Sequence, residues 1–86
     1  PVSTTPLQAL NLMNSPFVVE QSAFIAARAE KEAGQGTPAV KRCFELLLSR
    51  EPSAAELKAS LAVSKSRGLQ FVARALINSN EFAFIP

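Results

Sequence analysis

Two polar stretches hold the side chains best suited to binding or chemistry. One is Arg50, in the corner Ser49-Arg50-Glu51-Pro52, and the other is the run Asn78-Ser79-Asn80-Glu81-Phe82. A guanidinium presents its N–H donors as a flat fork, which fits a carboxylate or the open carbonyls at a helix end. Asparagine caps or terminates helices, and Glu81 supplies the carboxylate that is the natural partner for Arg50. The cluster therefore reads as an internal clasp between two turns, because such groups commonly satisfy helix ends. The alternative is an interaction or ligand site carried by Arg50, Asn78, Asn80, Glu81 and Phe82.

Other chemistry finds few residues to use. A triad needs a base beside its nucleophile, usually histidine, and the chain has none. Cys43 falls on the apolar face of a predicted helix, where a thiol stays protonated and inert, so it reads as a core residue. Zinc sites need clustered Cys and His, and calcium sites need closely alternating oxygen ligands around a glycine; neither pattern occurs. The carboxylates Glu20, Glu30, Glu32, Glu45, Glu51, Glu56 and Glu81 are scattered, and there is no aspartate. Gly34-x-Gly36 lacks the preceding strand and following Lys-Ser or Lys-Thr of a phosphate loop, and is a helix stop. The expectation is a chain with no catalytic residue, no metal and no cofactor of its own.

These side chains are held by a series of short helices whose starts are marked by proline. Thr5-Pro6 with Gln8 is a capping device opening a helix over about 6–13, in which Leu7, Leu10, Met13 and Asn14 make a narrow stripe. Asn14-Ser15-Pro16 repeats it before the longest helix, Phe17 to Ala33. There Phe17, Val18, Gln21, Phe24, Ile25 and Arg28 follow the helical rhythm of a buried face, while Glu20, Lys31 and Glu32 are solvated. Thr37-Pro38 opens a third helix, read as the central one, with Val40, Cys43, Phe44, Leu47 and Leu48 on its apolar face. Ser53 with Glu56 is the clearest capping box and begins a fourth helix over about 54–66, whose apolar side, Leu57, Leu61 and alanines, is light. Gly68 closes it, and Leu69, Val72, Ala73, Leu76 and Ile77 outline a fifth. Glu81 to Ile85 is read as an extended or single-turn segment that packs its aromatics back on the helices. The expected fold is all-α, a compact orthogonal bundle of about five short helices forming one domain over 1–86.

A chain of 86 residues with 48% apolar composition and three glycines is long enough for a thin core and too apolar for disorder. Its net charge of +2 is too small to build a phosphate-binding surface, and its cations lack interleaved exposed aromatics, so nucleic acid is not an expected partner. No run reaches the roughly 20 apolar residues that span a bilayer. The apolar stripes exceed what five short helices can bury in one another. That surplus points to an interaction or buttressing module docking on the remainder of a parent chain or on another protein.

Four blocks, taken together, carry a family resemblance: Thr5-Pro6-Leu7-Gln8-Ala9-Leu10; Met13-Asn14-Ser15-Pro16-Phe17-Val18; Phe44-x-x-Leu47-x-Ser49-Arg50-x-Pro52-x-x-x-Glu56; and Ala75-Leu76-Ile77-Asn78-Ser79-Asn80-Glu81-Phe82. The chain resembles the C-terminal segment of the large planctomycete-type proteins of unknown function that often carry cytochrome c-like domains. Ser49 departs from the pattern, standing where glycine is expected before the arginine. The resemblance implies a bacterial, extracytoplasmic parent, periplasmic or of the cell envelope, with this segment at its C-terminus. It implies no known reaction, and any haem would be held by a Cys-x-x-Cys-His segment that this chain lacks. In the family context the alternative function is a part of an enzyme acting on polysaccharide, with Arg50, Asn78, Asn80 or Glu81 in a site completed by the parent chain.

Overall fold

Proline and glycine set the helix boundaries. The computed structural model describes residues 15–79, which hold four α-helices and no strand: α1 (Pro16–Ala33), α2 (Thr37–Leu48), α3 (Ala54–Arg67) and α4 (Leu69–Ile77). The helix and capping box expected over 5–13 and the aromatic tail lie outside the described residues. The all-α class therefore stands with four described helices against an expected five or so. Pro16 starts α1, where a missing N–H costs nothing because the first-turn donors have no intrahelical partner. Ser15 takes the extended N-cap backbone, but its hydroxyl makes no capping bond; the device works here through proline alone.

Gly68 joins α3 to α4 as a single residue at φ 106° and ψ 155°, serving as C-cap of one helix and N-cap of the next. That backbone region is almost closed to residues with a Cβ. A Cβ built there would meet no atom within 4 Å, so the requirement for glycine comes from the turn itself. The end of α2 solves a similar problem less well. Ser49 sits in the left-handed region at φ 58° and ψ 32°, its N–H bonded to the Glu45 carbonyl at 3.1 Å. The family-like motif puts glycine at this position, and the left-handed backbone supplies the physical reason. Ser49→Gly is expected to stabilise the chain by about 0.5–1 kcal/mol, the relief of Cβ strain being partly offset by a freer unfolded chain. Urea unfolding of the two proteins checks this, and a loss of stability would contradict it.

α2 and α4 each pack on all three other helices, whereas α1 and α3 share at most a marginal contact. The centre is therefore shared by α2 and α4, not held by α2 alone. Five of the nine residues of α4 are buried: Leu69, Val72, Ala73, Leu76 and Ile77. Against them lie Ala39, Val40, Cys43 and Phe44 of α2. α3 buries no residue fully, as its light apolar side predicts, and contributes half-buried Leu57 and Leu61.

The orientation of α1 corrects the sequence reading. The helix buries Val18, Ser22, Ala26 and Ala29, with Ile25 partly buried, while Phe17 is 68% and Phe24 62% exposed. Gln21 and Arg28, placed on the same expected buried face, are also exposed. Small residues win because they let α1 come close to α2 and α4, which a phenylalanine at the contact would prevent. Ser22, fully buried, satisfies its hydroxyl by donating to the Val18 carbonyl at 2.6 Å, so its polarity costs little.

Candidate functional site

The corner between α2 and α3 is built around one carboxylate. Ser53 accepts the Glu56 N–H on its hydroxyl at 3.2 Å, and Glu56 Oε1 accepts the Ser53 N–H at 2.7 Å, completing the capping box. The same carboxylate receives the Arg50 fork: Nη1 donates to Oε1 and Nη2 to Oε2, both at 2.8 Å. Nη1 also donates to the Glu51 carbonyl at 2.9 Å, and the guanidinium lies 5.6 Å from the centre of the Phe44 ring. The chain from Arg50 to Glu56 is thereby closed into a clasp that joins the end of α2 to the start of α3 and roofs the core at Phe44. Sequence analysis paired Arg50 with Glu81. The structure puts Arg50 on Glu56, and Glu81, Asn80 and Phe82 lie outside the described residues. The capping-box spacing exposed Glu56 as a cap, but its second role depends on how the Ser49 turn swings Arg50 back.

The Arg50 guanidinium, followed by the Ser53 N–H, pulls the Glu56 carboxyl down from 4.5 to about 2. A group with a lowered folded-state pKa favours folding above its unfolded value, and that contribution is lost as pH falls through the folded value. The clasp thus supports the fold above about pH 4.5 and fades between there and about pH 2. Glu56→Gln, which keeps the capping box, is expected to be less stable than the wild type at neutral pH, with the gap closing across that window. Urea unfolding above, within and below it makes the check; a gap independent of pH would contradict the clasp.

At the far end of α4, Asn78 donates through Nδ2 to the Arg74 carbonyl at 2.9 Å, and the Ser79 hydroxyl donates to the Leu76 carbonyl at 2.7 Å. Both side chains finish the helix, as the Asn-Ser-Asn pattern predicts. The Arg74 guanidinium stacks 4.5 Å from the centre of the Phe71 ring, and that of Arg67 lies 5.9 Å from it, a pairing the sequence reading did not find. Cys43 is fully buried, and burial, with Glu30 adding to it, pushes its thiol up to about 11. Among the described residues no group of three or more His, Cys, Asp or Glu could hold a metal ion, and no helix is long and apolar enough to cross a membrane.

The remaining feature is the outer side of α1. Phe17, Glu20, Phe24, Ala27 and Lys31 follow alternating steps of three and four and form one exposed seam, with Arg28 beside it. Beside Phe24 an open depression of about 550 Å³ is lined by Phe24, Ala27, Arg28, Lys31 and Glu32. Glu32 holds the lower rim: its carboxylate accepts from Arg28 Nε at 2.9 Å and from Arg42 Nε at 2.8 Å, and Arg42 reaches on to Glu45 at 3.2 Å. Both arginines hold the Glu32 carboxyl below its ordinary range. This network ties α1 to α2 and fixes one wall of the depression.

A family model described as PSD1, a protein of unknown function (DUF1553), matches residues 1–64, a stretch that includes α1, α2 and the Arg50 corner. No curated protein and no solved structure matches the chain. With 64 of its 86 residues matched, the chain belongs to the PSD1 (DUF1553) family, a family of unknown function typical of planctomycete-type proteins.

Proposed function

We propose that this chain is a helical interaction module that docks through the outer side of α1 on the remainder of a larger protein or on a separate one. One observation carries the reading: α1 presents Phe17 and Phe24, 68% and 62% exposed, on the side opposite the one that joins the core. Two large aromatics on one exposed stripe, beside an open depression, are what a protein contact uses as anchors. The role is one of binding: the Arg50 fork is engaged by Glu56 and closes a corner of the fold. An extracytoplasmic setting, implied by the family resemblance, is part of the same reading.

The experiment is fluorescence of a hydrophobic dye on dilute protein, comparing the wild type with a Phe17→Ser, Phe24→Ser double variant. The wild type is expected to bind dye. The double variant should lose that binding while keeping its helical circular dichroism and its melting curve. Equal dye binding by both proteins, or none by the wild type, removes the basis of the proposal.

A further inference from the structure

We propose that the outer side of α1 pairs antiparallel with the same helix of a second copy of this chain, about a two-fold axis at Phe24. This rests on the docking role argued above and names the partner. Helix charge supports it. Along the exposed seam the acid, Glu20, lies on the N-terminal side of Phe24 and the bases, Arg28 and Lys31, lie on the C-terminal side. Glu20 and Lys31 make no ion pair among the described residues, and Arg28 donates to Glu32 through Nε alone, which leaves its two Nη groups for an opposed carboxylate.

The spacing is symmetric about Phe24. Glu20 and Arg28 are each four residues from it, and Phe17 and Lys31 are each seven. An antiparallel two-fold therefore sets Phe24 on its own counterpart, Glu20 against Arg28 of the second copy and Phe17 against Lys31. An isologous contact of this kind makes every favourable pair twice, and the helix dipoles also oppose. Parallel pairing would instead set acid on acid and base on base.

The depression fits the same register. Its lining by Phe24, Ala27, Arg28, Lys31 and Glu32 centres on the level of residues 27 and 28, which in this register faces Glu20 of the opposed helix, so the Glu20 carboxylate of each copy reaches the Arg28 side of the other's depression. Phe17 of each copy lies further along, against Lys31 of the other, a cation suited to an aromatic face. The order of charges along the seam thus selects the antiparallel arrangement.

Sedimentation equilibrium of the 86-residue chain over a concentration series, with charge reversals, tests it. The wild type is expected to form dimers. Glu20→Arg alone sets like charges together at two symmetric places and should weaken association about tenfold. Arg28→Glu alone should do the same, and the double reversal should restore affinity to within a few-fold of the wild type. These residues are exposed, and unchanged melting curves confirm that each variant is folded. As a second readout, Phe24→Cys should cross-link to a disulfide dimer on oxidation, which the wild type, with Cys43 fully buried, should not. A wild type that stays monomeric, single reversals without effect, or a double reversal no better than the singles would overturn the proposal. In the monomer case, continued dye binding through Phe17 and Phe24 leaves the docking role standing with a different partner, whereas absent dye binding removes both.

Discussion

Phe44→Ala is expected to leave this chain largely unfolded in water. Phe44 is 2% exposed and shares a cluster with Ala26, Ala29, Val40, Cys43, Leu69, Val72 and Leu76, so its ring touches the junction of α1, α2 and α4. Removing a buried phenylalanine costs about 3–5 kcal/mol, as lost transfer energy plus the cavity left behind. A single core in a chain this short rarely supplies more than about 3–5 kcal/mol in all, so one substitution cancels it. The Arg50 guanidinium would also lose the ring it covers. Circular dichroism and urea titration read the result directly. A variant that still melts cooperatively near the wild-type temperature would show that the core does not centre on Phe44.

Ala29→Leu and Phe24→Ala form the second test, with effects opposite to what side-chain size suggests. Ala29 is fully buried where α1 meets its neighbours, and a leucine there forces the helices apart at a cost of about 1–3 kcal/mol. Phe24 points outward, so its truncation should stay within about 0.5 kcal/mol of the wild type and gains from the better helix propensity of alanine. Thermal or urea unfolding of the pair decides the orientation of α1. If Phe24→Ala costs several kcal/mol while Ala29→Leu is tolerated, α1 is turned the other way.

That orientation marks the boundary of what the residues disclose unaided. Boundaries were legible because proline and glycine act locally: Pro16, Gly34, Pro38 and Gly68 delimit α1 to α4 within a residue or two of expectation. The faces of α2 and α4 were legible too, since each has one coherent apolar side, Val40 with Cys43 and Phe44, and Leu69 with Val72, Leu76 and Ile77. On α1 the aromatics and the small residues lie on opposite sides, and periodicity favours the larger hydrophobes. Close approach between helices selects Ser22, Ala26 and Ala29 instead, a tertiary effect that hydrophobicity along one helix does not encode. Arg50 was identified as a clasp, but its carboxylate depends on the left-handed turn at Ser49, which brings it to Glu56, six residues on.

The central claim, that the outer side of α1 is a binding surface and not a part of the chain's own core, is tested most directly by hydroxyl-radical footprinting read by mass spectrometry. Phe17 and Phe24 in dilute protein should be modified at rates near those of free side chains, and Phe44 should be protected. On raising the concentration, Phe17 and Phe24 should become protected together while Phe44 does not change. Protection of Phe17 and Phe24 equal to that of Phe44 in the dilute monomer would contradict the account, because both rings would then belong to the core of a single chain.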